Sequence, residues 1–87
     1  MSKYGRLAEY LQHQSQDELT LSFFTIEQLI RQPLPRASQS AEWWESAEDG
    51  PRKHVQQLAW RAVGFNAYLR PGGRVVFVRT PGADNKF

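Results

Sequence analysis

The chain has 87 residues, one domain near the lower size limit for a single hydrophobic core. It has no cysteine, which excludes a disulfide framework and a thiolate zinc site, so eleven aromatic residues, three of them tryptophan, must carry the packing. The net charge is +2 but unevenly spread: residues 1–50 hold four basic against eight acidic residues, and residues 51–87 hold seven basic against one.

The first helix is predicted over residues 2–14, because Tyr4, Leu7, Ala8 and Leu11 fall at i, i+3, i+4 and i+7. The start MSKYGRLAEYLQ lacks the apolar run of a signal peptide, and nowhere do about 18 apolar residues follow one another. The expectation is therefore a cytoplasmic protein without a membrane partner. In DELTLSF the period changes to two, with Leu19, Leu21 and Phe23 alternating with Thr20 and Ser22, as a half-buried strand requires. Thr25 and Gln28 then read as a capping box opening a second helix whose buried side is Ile26, Leu29 and Ile30. Pro33 and Pro35 end it.

A short third helix carrying Trp43 and Trp44 is predicted within SQSAEWWES, followed by the turn-rich AEDGPRK. Pro51 suits the first turn of the next helix, whose apolar stripe is Val55, Leu58, Ala59, Ala62 and Val63 and whose stop is Gly64. The opposite face of that helix reads Lys53, His54, Gln57, Trp60 and Arg61. FNAYLRPGGRVVFVR is a hairpin turning on Pro-Gly-Gly, with Leu69, Val76 and Val78 toward the core, and residues 80–87 have no pattern and read as a loose tail after a domain of residues 1–79. A lone hairpin is marginal in water, so the early strand is expected to join it. The fold class is thus α+β: a small winged-helix-like domain, three to four helices with a three-stranded antiparallel sheet made of one early strand plus the C-terminal hairpin. About twenty residues separate the second helix from the Val55 helix, where a helix-turn-helix has a turn of three or four.

Leu19 to Phe23, Ile26-Glu27, Leu34-Pro35, Trp43-Trp44, and Gln56, Trp60 and Gly64 in Gln-x-x-x-Trp-x-x-x-Gly together resemble a family of small prokaryotic domains with no established activity. The resemblance spans roughly Tyr4 to Arg79 and implies a stand-alone α+β domain without a catalytic residue to carry over. It departs from the pattern at Glu45-Ser46, where an Asn follows the tryptophan pair in the family.

Arg52, Lys53, His54 and Arg61 on the last helix and Arg70, Arg74 and Arg79 on the hairpin form the candidate surface, since consecutive elements usually lie side by side. Arginines beside a glycine turn approach phosphates, and Gln57 with Arg61 on an exposed helical face reaches base edges. The alternative is a solvated basic face that pairs with Glu42, Glu45, Glu48 and Asp49. Trp43 and Trp44 are candidates for base stacking or partner contact, against a reading in which one is buried and the other covers a neighbouring helix. Trp60 is expected to pack on that segment. His13 and His54 have no metal-ligand partner at a recognised spacing, Ser38 and Ser40 read as helix-start residues, and Pro-Gly-Gly lacks the lysine of a phosphate loop. The expectation is no enzyme, no metal and no cofactor, but a nucleic-acid-binding module, most simply for DNA. Its rival is a protein-interaction or regulatory accessory module, including a self-associating one.

Overall fold

The computed structural model describes residues 4–45 and 55–80, with the backbone alone at Val55. In chain order its elements are α1 (Gly5–Gln12), β1 (Glu18–Ser22), α2 (Phe23–Ile30), a 3-10 turn (Arg36–Gln39), α3 (Ala41–Trp44), α4 (Val55–Ala62), β2 (Phe65–Arg70) and β3 (Arg74–Arg79). The described residues thus make an α+β domain of four α-helices and a three-stranded antiparallel sheet in the order β1-β3-β2. This is the expected element order, with the early strand paired to the second arm of the hairpin.

The stripe of α1 behaves as its spacing requires: Tyr4, Leu7 and Leu11 are buried. α2 begins two residues before the expected capping box. Its N-cap is Ser22, whose Oγ accepts the N–H of Thr25 at 3.1 Å, so Thr25 lies inside the helix rather than before it. The reason is tertiary. The N–H of Phe23 donates to the carbonyl of Gly73 at 2.8 Å, and its ring stacks on Trp44 at 5.9 Å, which takes Phe23 out of the strand. The helix closes at Arg31, in the left-handed region at φ 63, and Glu27 then accepts the N–H of Leu34 at 2.8 Å across the proline connector.

Strand register decides which side chains face inward. Leu19 pairs with Phe77 and Leu21 with Val75, while Ala67 and Leu69 face the same two residues from the other side. Val75 and Phe77 are fully buried. The expectation that Val76 and Val78 close the core is corrected: they pair with Tyr68 and Asn66 on the opposite face, and only Leu69 of the expected set packs inward. All four residues of VVFV are apolar, so alternation within the strand cannot choose the face; the partners in β1 and β2 do.

The core is built on tryptophan. Trp44 and Trp60 stack at 5.3 Å, Trp43 meets Trp44 edge-on at 4.6 Å, and Phe77 closes against Trp60 at 5.9 Å. Because Trp60 points into this cluster, α4 is turned from the expected orientation. Its buried residues are Gln56, Gln57 and Trp60; of the expected stripe Ala59 and Val63 pack against the core half-buried, whereas Leu58 is 51% exposed and Ala62 is exposed. Two features hold at the ends. Gly64 adopts φ 86 where α4 stops, and Thr80, the first residue of the expected tail, donates its N–H to the Gly64 carbonyl at 2.7 Å.

Candidate nucleic-acid interface

The hairpin loop is Pro71-Gly72-Gly73, with Gly72 at φ 82 and Gly73 at φ 69. Both angles are reached at little cost only by glycine. The loop is closed by Arg70 directly opposite Arg74, and Arg74 also pairs with Ser22 of β1, so Ser22, Arg74 and Arg70 form one row across the sheet. Both arginines are exposed. Arg70 donates to the carbonyl of Leu69 at 3.2 Å and lies 5.9 Å from the centre of the Tyr68 ring. Neither guanidinium meets a carboxylate among the described residues, whereas that of Arg79 meets Asp17.

Arg79, although on the same hairpin, does not belong to this surface. Its Nε contacts Asp17 at 3.0 Å, its terminal nitrogen donates to the carbonyls of Gln14 and Gln16, and its guanidinium sits 4.7 Å over the Phe65 ring. It ties the α1–β1 connection to β3.

Gln57 is not on an exposed reading face, contrary to the sequence expectation. It is 5% exposed, and its Nε2 donates to the carbonyls of Glu42 and Trp43, both at 3.1 Å. Gln56 donates to the same Trp43 carbonyl at 3.0 Å. The two amides satisfy the carbonyls left open at the end of the four-residue helix α3. Trp43 and Trp44 are likewise corrected: both are buried, at 8% and 1% exposure, and Trp44 Nε1 donates to the Ser38 carbonyl at 2.9 Å, so neither presents a ring for stacking or partner contact. Ser38 is buried and donates to the Pro35 carbonyl at 2.7 Å instead of capping a helix.

Arg61 is exposed on α4, near Leu58. Arg52, Lys53 and His54 lie outside the described residues, as do Glu48 and Asp49. Glu45, within that segment, accepts the N–H of Leu69 at 3.1 Å and covers part of the β2 edge.

Sequence reasoning missed Phe24, the most exposed large apolar residue described, at 69%. The signal was present in the FFTIEQLI pattern, where Phe23, Ile26 and Ile30 share a helical face and Phe24 falls off it, but it is readable only once the helix is known to begin at Phe23. Elsewhere, a shallow open groove of about 390 Å³ between α1 and α2 is lined by Arg6, Tyr10, His13, Gln28 and Arg31. Among the described residues no group of three or more His, Asp or Glu is placed to hold a metal ion, and no helix is long and apolar enough to cross a membrane.

A three-stranded sheet packed with helices around a tryptophan core, with two arginines at its hairpin tip, defines a small α+β domain. The chain belongs to the family described as a domain of unknown function (DUF7662), whose profile matches residues 4–81. No curated protein and no solved structure matches it. The residues that carried the resemblance all have roles in the fold: Glu27 holds Leu34, Trp60 stacks on Trp44, Gln56 closes α3, and Gly64 supplies a positive φ. They define the scaffold; Arg70 and Arg74 are not among them, although Ser22 and Phe23 touch the hairpin tip.

Proposed function

We propose that this domain binds nucleic acid through the phosphate backbone, with the hairpin as a wing carrying Arg70 and Arg74. The observation that supports this reading is the cross-strand arginine pair, exposed and without a carboxylate partner among the described residues. Like charges directly opposite each other weaken a hairpin by a few tenths to about 1 kcal/mol. An anion between them turns that repulsion into two charge-assisted contacts, and guanidinium matches phosphate geometry. At Gly72 the space where a Cβ would stand is open, so the backbone lets a phosphate approach there. Since Gln57 is committed to α3, the affinity is electrostatic and only weakly dependent on base sequence.

The test is a binding titration against duplex and single-stranded DNA at two salt concentrations, with wild type and an Arg70→Ala/Arg74→Ala double variant. The expected result is a steep loss of affinity with salt, and a duplex salt slope shallower by about 0.9 for each phosphate contact removed. Binding that ignores both salt and the two substitutions would overturn the reading.

A second reading rests on a separate observation: Leu58 and Ala62 leave part of the apolar stripe of α4 facing solvent. A protein-interaction or self-associating module would use that face. Light scattering after size exclusion, with Leu58→Lys as the comparison, distinguishes it, because a dimer dissociated by that change supports this reading and a monomer at every concentration removes self-association.

A further inference from the structure

One residue beyond the contact of α2 with the hairpin loop, the molecule exposes an aromatic ring, Phe24, at 69%. Phe24 follows Phe23, whose N–H is bonded to the Gly73 carbonyl at 2.8 Å and whose ring lies 3.7 Å from where a Cβ on Gly73 would stand. The first turn of α2 is thereby docked on the hairpin loop, and Phe24 is one peptide, about 3.8 Å between Cα atoms, beyond that contact. Its neighbour on the other side of Phe23 is Ser22, which pairs with Arg74. One end of the sheet therefore carries Phe24 on the β1 side, Arg74 and Arg70 across two strand spacings of roughly 5 Å each, and the half-buried Tyr68 beneath Arg70.

We propose that the ligand of this end is single-stranded nucleic acid, with Phe24 stacking an unpaired base while Arg70 and Arg74 hold adjoining phosphates. This rests on the phosphate-binding reading above and narrows it. A base inside a duplex has both faces covered by its neighbours, so stacking on it first costs a few kcal/mol of unstacking. A single strand offers free base faces, and any base will serve. An anionic membrane is the less favoured ligand, because recognition of that kind draws on clusters of about four to eight basic residues, and this tip has two, around Pro71 and Gly72.

The experiment is fluorescence anisotropy of the full chain with a short labelled single strand and with the duplex of the same sequence, for wild type, Phe24→Ala, Phe24→Leu, Phe24→Trp and the Arg70→Ala/Arg74→Ala variant. Phe24 is exposed, so its variants should keep the fold, which circular dichroism verifies. Tighter binding to the single strand is expected, weakened about 5- to 150-fold by Phe24→Ala. Leucine, apolar but without a π-face, should fail to restore it, and tryptophan should restore it. The arginine variant should flatten the salt slope, which Phe24→Ala should leave intact. If both nucleic acids bind with the salt slope of the arginine pair but equally well and regardless of residue 24, the stacking proposal falls and phosphate binding stands. If neither binds, both fall. Binding to phosphatidylserine vesicles in place of either nucleic acid, weakened by the same variants, would replace the proposal with a membrane ligand.

Discussion

The Nε2 of Gln57 donates to the main-chain carbonyl of Trp43 at 3.1 Å, fourteen positions earlier in the chain, and Gln56 donates to the same oxygen at 3.0 Å. Two adjacent amides thus close a helix too short to satisfy its own end, and they fix the orientation of α4 against the tryptophan cluster.

Removing Gln57 takes the donor from the Glu42 carbonyl, leaves the Trp43 carbonyl with Gln56 alone and vacates a buried position. Gln57→Ala is expected to destabilise the domain by about 1–3 kcal/mol, read as a lower urea midpoint with an unchanged slope. Gln57→Glu should be worse, because it sets a carboxylate against carbonyl oxygens. Full stability together with lost nucleic-acid binding in Gln57→Ala would return this residue to the recognition surface.

Trp60 stacks on Trp44 and meets Phe77 edge-on, so its truncation opens the centre of the core. Trp60→Ala should cost about 3–5 kcal/mol, against a total stability on the order of 5–15 kcal/mol for a domain. The expected outcome in thermal melts is a midpoint lowered by tens of degrees or no cooperative transition.

Arginines on one hairpin are predicted to separate by role. Arg79→Ala should loosen the tie to Asp17, Gln14 and Gln16 and lower the melting temperature while leaving the salt dependence of binding unchanged. Arg70→Ala and Arg74→Ala should do the reverse, weakening binding with stability kept or slightly raised by relief of the like-charge contact. Equal effects of all three on binding would mean that the whole hairpin, rather than its tip, meets the ligand.

Tyr4 gives a pH dependence. Burial raises its hydroxyl above the ordinary value of 10.0. The folded state therefore holds the proton more tightly than the unfolded chain, and stability falls as the pH rises from about 10 through the raised value, while below that range the contribution is fully present. Subtracting the alkaline stability curve of Tyr4→Phe from that of wild type should leave this decline as a difference; parallel curves would show that the hydroxyl is not desolvated.

Local pattern was sufficient wherever one face of an element is apolar and the other is not. The spacing of Tyr4, Leu7 and Leu11 specifies the buried stripe of α1, the alternation of Leu19 and Leu21 specifies β1, and Pro-Gly-Gly specifies a hairpin because only glycine reaches the positive φ at Gly72 and Gly73 cheaply. From these followed the α+β class and the third strand. Two choices depended on residues far away in sequence. In VVFV every side chain is apolar, so the inward pair became Val75 and Phe77 through register with Leu21 and Leu19. In α4 the aliphatic stripe competed with a face holding one tryptophan and two glutamines. Trp60 and the glutamines went inward, displacing Leu58 and Ala62 while Ala59 and Val63 stayed half-buried, because the Trp60 ring found Trp44 and the glutamine amides found carbonyls of α3 that the sequence of α4 does not contain. The candidate site divided the same way: Arg70 and Arg74 were legible from the turn between them, while Gln57, Trp43 and Trp44 were taken by the core and Phe24 was left outside it, since burial is set by the partners that tertiary contact brings.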